Sequence, residues 1–175
     1  MREGVRAQGF TRMGNGLNSK SVNEPQKVEI AAARAHTACA DLSSVLSEIA
    51  LYANQTILPD FSHDALVSAL TKREHVSSTS TPEGVAFPHA ICDGVTPSAS
   101  GIILLTLAQP ILWGSNQVQI VVGLFGSPAE PWRHVRTLAR IARACSQVHI
   151  RQQLIACDTD GALLNLFDKE CNNHA

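Results

Sequence analysis

Two stretches in the second half of the chain, Gly101–Ala108 (GIILLTLA) and Val118–Phe125 (VQIVVGLF), are almost uninterrupted apolar runs. A strand with one wet face alternates apolar and polar residues, because successive side chains point to opposite sides. A run without alternation must be covered on both faces, which suits central strands with helices above and below. Pro110 and the Gly114-Ser115-Asn116 turn separate the two runs.

The flanking sequence supplies the helices. Leu42, Val45, Leu46, Ile49 and Ala53 lie on one face of a 3.6-residue repeat, and Asp41 stands where an N-cap belongs. Ser62 caps a second helix to about Arg73, with Leu66, Ala69 and Leu70 inward. His75–Gly84 is loop chemistry. Val85-Ala86-Phe87 is a short strand stopped by Pro88. Ser127-Pro128-Ala129-Glu130 has the spacing of a capping box with proline at the first helical position. The helix it opens is expected to turn Val135, Leu138, Ala139, Ala142 and Cys145 inward. Arg133, Arg136, Arg140 and Arg143 face out, as a solvated face. A short helix follows near 148–156. Asp158 caps a last one with Ala162, Leu163, Leu166 and Phe167 inward. With the apolar segment Val28–Arg34 in front, the expected fold is α/β: a single domain, a mixed β-sheet with helices on both faces.

Composition narrows the function classes. The 175 residues carry a net charge of −1, with 14 basic and 15 acidic residues. That balance gives no electrostatic footprint for nucleic acid or an anionic membrane. No apolar run approaches the ~18 residues of a span, so no membrane insertion is expected. Cys39, Cys92, Cys145, Cys157 and Cys171 are scattered without a C-x-x-C, and read as reduced thiols of a cytoplasmic protein. Residues 1–27 hold Arg2, Arg6, Arg12, Lys20 and Lys27 with glycines and no apolar run. They read as a disordered basic tail or an early start with Met13 as the alternative, and fit a transit peptide only weakly. Residues 28–170 form the domain, and 171–175 a short C-terminal tail.

No nucleophile elbow, P-loop, dinucleotide fingerprint or zinc motif is present. Among the histidines, His89 has the most constrained setting, directly after the strand and Pro88. From that setting alone, a turn histidine and a site histidine both remain open. Cys92 lies three residues on and reads as an inert thiol or as half of a Cys–His couple.

The stretch Arg73-Glu74-His75-Val76-Ser77-Ser78-Thr79 through Gly84-Val85-Ala86-Phe87-Pro88-His89-Ala90 resembles the signature of the phosphotransferase-system IIA proteins of the fructose, mannitol and nitrogen-regulatory type. So do the Leu107–Ile111 turn, His134 near the start of a helix, and Arg151 to Asp168. The resemblance spans about residues 28–170. It implies that His89 accepts a phosphoryl group from an HPr-type phosphocarrier. The group then passes to a IIB protein, or serves as a signal to a regulatory target. It implies that Arg73 and His134 assist at the phosphate, that Ser78 and Thr79 bind it, and that no metal or cofactor takes part. Two departures stand out. Ser80-Thr81-Pro82-Glu83 replaces the glycine-rich loop and is expected to bring an anion near the phosphate, and Ile91-Cys92-Asp93 replaces a basic residue. They keep open the alternative of a IIA-like binding module whose phosphotransfer has decayed.

Overall fold

The computed structural model describes residues 27–96 and 101–172. Five strands and five helices follow one another as β1 (Ile30–Thr37), α1 (Leu42–Thr56), α2 (His63–Val76), β2 (Val85–Ala86), β3 (His89–Ile91), β4 (Ile102–Trp113), β5 (Asn116–Gly126), α3 (Pro131–Ser146), α4 (Val148–Ile155) and α5 (Asp160–Asn172). The strands form one mixed sheet in the order β1-β4-β5-β2, with β3 also on β5. Only β4 and β5 are antiparallel to each other; β1 runs parallel to β4, and β2 and β3 parallel to β5.

The two apolar runs are the middle of this sheet, and their residues sort alternately into two cores. Ile103, Leu105, Leu107, Val121 and Phe125 pack with α1 and α2 residues such as Leu46, Ile49 and Leu66. Ile102, Leu104, Ile120, Val122 and Leu124 pack against Ile141, Leu154, Leu163 and Phe167 of α3, α4 and α5. The fold is therefore the expected α/β domain with helices on both faces. Among the described residues, no helix is long and apolar enough to cross a membrane.

At Gly123 of β5, Ile49 of α1 packs directly against the strand backbone. A β-carbon there would sit 2.5 Å from Ile49 Cγ2, and Ile49 is completely buried. Gly123→Ala should therefore overpack this core and cost about 1–3 kcal/mol. In a domain this size that lowers Tm by roughly 3–10 °C. A thermal melt checks it, and an unchanged Tm would show that α1 can move away freely.

Several local expectations need correction. Pro88 interrupts the strand without ending it: Val85 pairs with Ile120 and His89 with Leu124, so β2 and β3 run on one register along β5. Pro110 lies inside β4, in the irregular stretch between Thr106 and Ile111 where the ladder with β5 lapses and no N–H is required. Helix α3 starts three residues late. Glu130 is its N-cap and Pro131 its first residue, while Ser127 closes the preceding turn, its C=O accepting Glu130 N–H and its Oγ accepting Ala129 N–H. Its inward face is His134, Ile141, Ala144 and Cys145, with Leu138 partly covered. Val135, Ala139 and Ala142 are exposed. The face differs from the apolar periodicity because a histidine occupies a core position. Thr159, not Asp158, caps α5, accepting from Ala162 N–H, and Ala162 faces out. That helix also includes Cys171, which is buried, and Asn172, whose amide side chain hydrogen-bonds both Val28 N–H and Val28 C=O. These two residues belong to the packed domain. The proposed basic tail lies outside the described residues except for Lys27, which pairs with Asp168 at 3.3 Å.

Candidate functional site

The segment before His89 is a small hairpin. Thr79 C=O accepts Phe87 N–H at 3.2 Å, Thr81 N–H donates to Val85 C=O at 2.8 Å, and Gly84 N–H closes the tip on Thr81 C=O. The three-residue loop Pro82-Glu83-Gly84 ends with Gly84 at φ +84°, the left-handed residue such loops use. The tip therefore has the turn chemistry it needs. It also points away from the histidine: Gly84 C=O receives Gln119 N–H, whereas His89 pairs with Leu124. Five strand residues separate those levels, about 17 Å. Its own backbone N–H and the Thr81 side chain hold the Glu83 carboxyl below the usual carboxylate range, with a smaller contribution from Arg151 of α4. The expectation of an anion crowding the phosphate approach is thus corrected.

His89 begins β3, half-buried, between α2 and α3. Arg73, in the last turn of α2, donates from Nε to His89 Nε2 at 3.0 Å. On the other side of the ring, Nδ1 lies 2.8 Å from Phe87 C=O. A guanidinium can only donate and a carbonyl only accept. Nδ1 therefore carries the proton, and Nε2 presents its lone pair. Burial, together with the nearby Arg73 charge, holds the His89 pKa below the usual histidine value; the Phe87 bond and Glu74 oppose this. The ring is neutral at neutral pH and nucleophilic at Nε2.

His134 faces His89 from α3, with ring centroids 5.1 Å apart and planes tilted by 49°. Only 8% of it is exposed, and its Nε2 is buried without a hydrogen-bond partner. Gly126 allows the ring this position: a β-carbon there would lie 2.7 Å from His134 Nδ1. Burial first, then the His89 ring and the Arg73 guanidinium, push the His134 pKa down to about 4. Unfolded, it would titrate near 6.5. Between those values the unfolded chain binds a proton that the folded ring refuses. The contribution of His134 to stability is thus whole above about pH 6.5 and is lost as pH falls toward 4, by up to about 3 kcal/mol. His89 adds in the same direction. Urea midpoints at pH 7 and pH 4.5 should show this loss in the wild type and a smaller one in His134→Gln. Equal losses in both would remove His134 as the cause.

The structure thus brings Arg73, His89 and His134 together at a groove of about 700 Å³. Its floor includes Phe61, Ala90 and Ile91, and Lys72 stands beside Arg73. Cys92 lies in the same groove, but burial raises its thiol pKa, so it is poorly suited to act as a thiolate. Ser78 and Thr79 do not join as donors. Thr79 commits both its N–H and its hydroxyl to Glu74, at 2.8 and 2.7 Å. Ser78 Oγ meets Ser80 Oγ at 3.1 Å, beside Gly114 at the β4–β5 turn. Three contributors escaped sequence reasoning: the Phe87 carbonyl, Gly126 and the buried Glu74. Only Glu74 left a signal. It continues the Leu66, Leu70 stripe of α2 at four-residue spacing, an unusual place for an unpaired carboxylate.

The mixed α/β fold thus holds one neutral histidine against an arginine, with a second histidine ring facing it. Residues 33–170 match the family described as "Phosphoenolpyruvate-dependent sugar phosphotransferase system, EIIA 2", and the chain belongs to that family. The mannitol-specific phosphotransferase enzyme IIA component of Staphylococcus aureus (strain MRSA252) is 34% identical over 107 residues, 61% of this chain and 72% of that protein. Its counterpart in Bacillus subtilis (strain 168) is 26% identical over 120 residues, 67% of this chain and 82% of that one. Nitrogen regulatory protein IIA-Ntr from Neisseria meningitidis shares the fold with a TM-score of 0.71 at 19% identity, over 80% of this chain and 95% of the other. IIA mannitol from Escherichia coli does so with a TM-score of 0.61 at 15% identity, over 77% and 95%. A complex of IIAMTL with phosphorylated IIBMTL from Escherichia coli matches with a TM-score of 0.60 at 15% identity, over 77% and 93%.

Proposed function

We propose that this chain is a phosphohistidine carrier: His89 Nε2 takes a phosphoryl group from an HPr-type phosphocarrier and hands it to a IIB-type protein. The observation that carries the reading is the ring's fixed tautomer, with Nδ1–H on Phe87 C=O and the Nε2 lone pair directed at Arg73. The lone pair attacks the phosphorus of the donor phosphohistidine. The donor N–P bond breaks and its electron pair returns to the donor ring, while the Nδ1 proton stays on the Phe87 bond. Arg73 Nε–H, released from the ring nitrogen, is placed to meet the phosphoryl oxygens. His134 faces the His89 ring at 5.1 Å with an unpartnered Nε2, and is the second candidate to assist. Positioning and charge stabilisation are what such a transfer asks of the protein.

A IIB-type acceptor is supported by the mannitol-specific names of the sequence relatives and by the IIAMTL–IIBMTL complex among the fold relatives. The reading as a binding module with decayed transfer loses its main support, because the altered loop is a well-formed hairpin tip remote from His89. Incubation with phosphoenolpyruvate, enzyme I and HPr should give one acid-labile phosphate per chain. It should be discharged by a mannitol-type IIB protein. No labelling would overturn the proposal. Labelling that no IIB discharges, with a non-transport partner recovered according to the state of His89, would assign the chain to regulation.

A further inference from the structure

We propose that Glu74 is a positioning residue, one that sets the tautomer and placement of His89 through Thr79 and the Phe87 carbonyl. This deepens the carrier reading and rests on it for its consequence in transfer, though not for its geometry.

Glu74 is 8% exposed, yet both of its carboxylate oxygens are hydrogen-bonded. Oε1 accepts Thr79 N–H at 2.8 Å and Trp113 Nε1–H at 2.7 Å, and Oε2 accepts the Thr79 hydroxyl at 2.7 Å. A buried carboxylate with three donors is held firmly, and charge-assisted bonds of this kind are the strong ones. Thr79 is the residue opposite Phe87 in the hairpin: its carbonyl receives Phe87 N–H at 3.2 Å. Phe87 in turn accepts the His89 Nδ1–H at 2.8 Å. The path from carboxylate to imidazole is therefore three hydrogen bonds long, joined through the backbones of Thr79 and Phe87. The same carboxylate fixes the end of α2, where the adjacent Arg73 reaches Nε2 of that ring and Ser77 C=O. One anchored group thus sets the distance between the strand that carries His89 and the helix turn that carries its arginine. Trp113 at the β4–β5 hairpin ties the anchor to the sheet. If the hairpin slackens, Phe87 C=O drifts from Nδ1, and only the Arg73 bond to Nε2 is left to keep the proton there. The ring can then carry its proton on Nε2, which cannot attack phosphorus.

The test uses ¹⁵N-imidazole NMR of the unphosphorylated full chain near pH 8, alongside transfer rates from phospho-HPr. The wild type should show a single Nδ1–H tautomer for His89. Glu74→Gln replaces half of the acceptor with a donor and should give a mixed tautomer. Its transfer should slow about 10–100-fold, the range seen when the outer partner of a metal-bound histidine is lost. Thr79→Val, which removes only the hydroxyl bond, should move both readouts less and in the same direction, and Thr79→Ser should restore them. It also carries the test if Glu74→Gln fails to fold. A folded Glu74→Gln or Thr79→Val with the wild-type tautomer would overturn the proposal, even if its Tm or rate were lower, since that is what a merely structural residue would show. Failure of the carrier reading looks different: the wild type would take no phosphate while the tautomer still answered to Glu74.

Discussion

Given phosphoenolpyruvate, enzyme I and HPr, the His89→Ala protein should take up no acid-labile phosphate under conditions that label the wild type fully. Among the described residues, no other histidine shares its arginine and carbonyl partners. His134 is the nearest, but with 8% exposure it sits behind His89, out of reach of a phosphohistidine carried on another protein. His63 is engaged with Ser47 and Asp64, and His36, at the end of β1, lies 3.7 Å from Asp158 just before α5. His75 is exposed on α2, but no arginine bond is seen at its ring and no carbonyl is seen fixing its tautomer. His89 is half-buried at the start of β3, so removing its ring opens space toward the groove without touching either core. The variant should keep a cooperative melt. Phosphate incorporation and intact mass read the result together, and full labelling of a folded His89→Ala would place the acceptor elsewhere.

How much of this was legible beforehand follows from which physical signal each part leaves in the sequence. The apolar runs of β4 and β5 could only be central strands, and both are. Asp41 and Ser62 were readable as caps because a cap needs one short acceptor at one position, and the structure shows Ser44 N–H on Asp41 and Ala65 N–H on Ser62. The site residues Arg73, His89 and His134 came from motif order, and the fold brings their side chains together. What stayed hidden depends on long-range pairing. The phase of α3 was misread because His134 takes a core position that periodicity assigns to an apolar side chain. Thr79 reads as a phosphate donor from the sequence, because nothing local reveals that a carboxylate five residues earlier accepts both its donors. Glu83 was placed near the phosphate by its distance along the chain. The hairpin turns that distance into a separation of about five strand residues.

Arg73→Ala should label at His89 but slowly, with the rate of transfer down about 10²–10³, the usual loss when one charge-stabilising donor is removed from a transition state. The side chain does two things in the resting site. Its Nε–H occupies the Nε2 lone pair, and a second nitrogen of the fork holds Ser77 C=O, which ties it to the start of the hairpin segment. The bond to Nε2 favours the productive tautomer before the donor arrives, and the same N–H is where the phosphoryl oxygens come to lie after it. The charge has a further effect whose sign can be worked out. Arg73 is among the causes that depress the pKa of both His89 and His134, so its removal should raise both. For His89 that means more imidazolium near neutral pH, a form without a lone pair at Nε2. The rate deficit of Arg73→Ala should therefore widen as pH falls through the range where the His89 of the variant titrates, and narrow above it. Arg73→Lys separates the two contributions. It restores a positive charge and so lowers the pKa again, but a single ammonium cannot hold Ser77 C=O and Nε2 with the geometry of the planar fork. Its rate should stay well below wild type with a pH profile close to normal. A pH-independent deficit in Arg73→Ala would show that the arginine acts on the phosphoryl group alone, and an unchanged rate would remove it from the site.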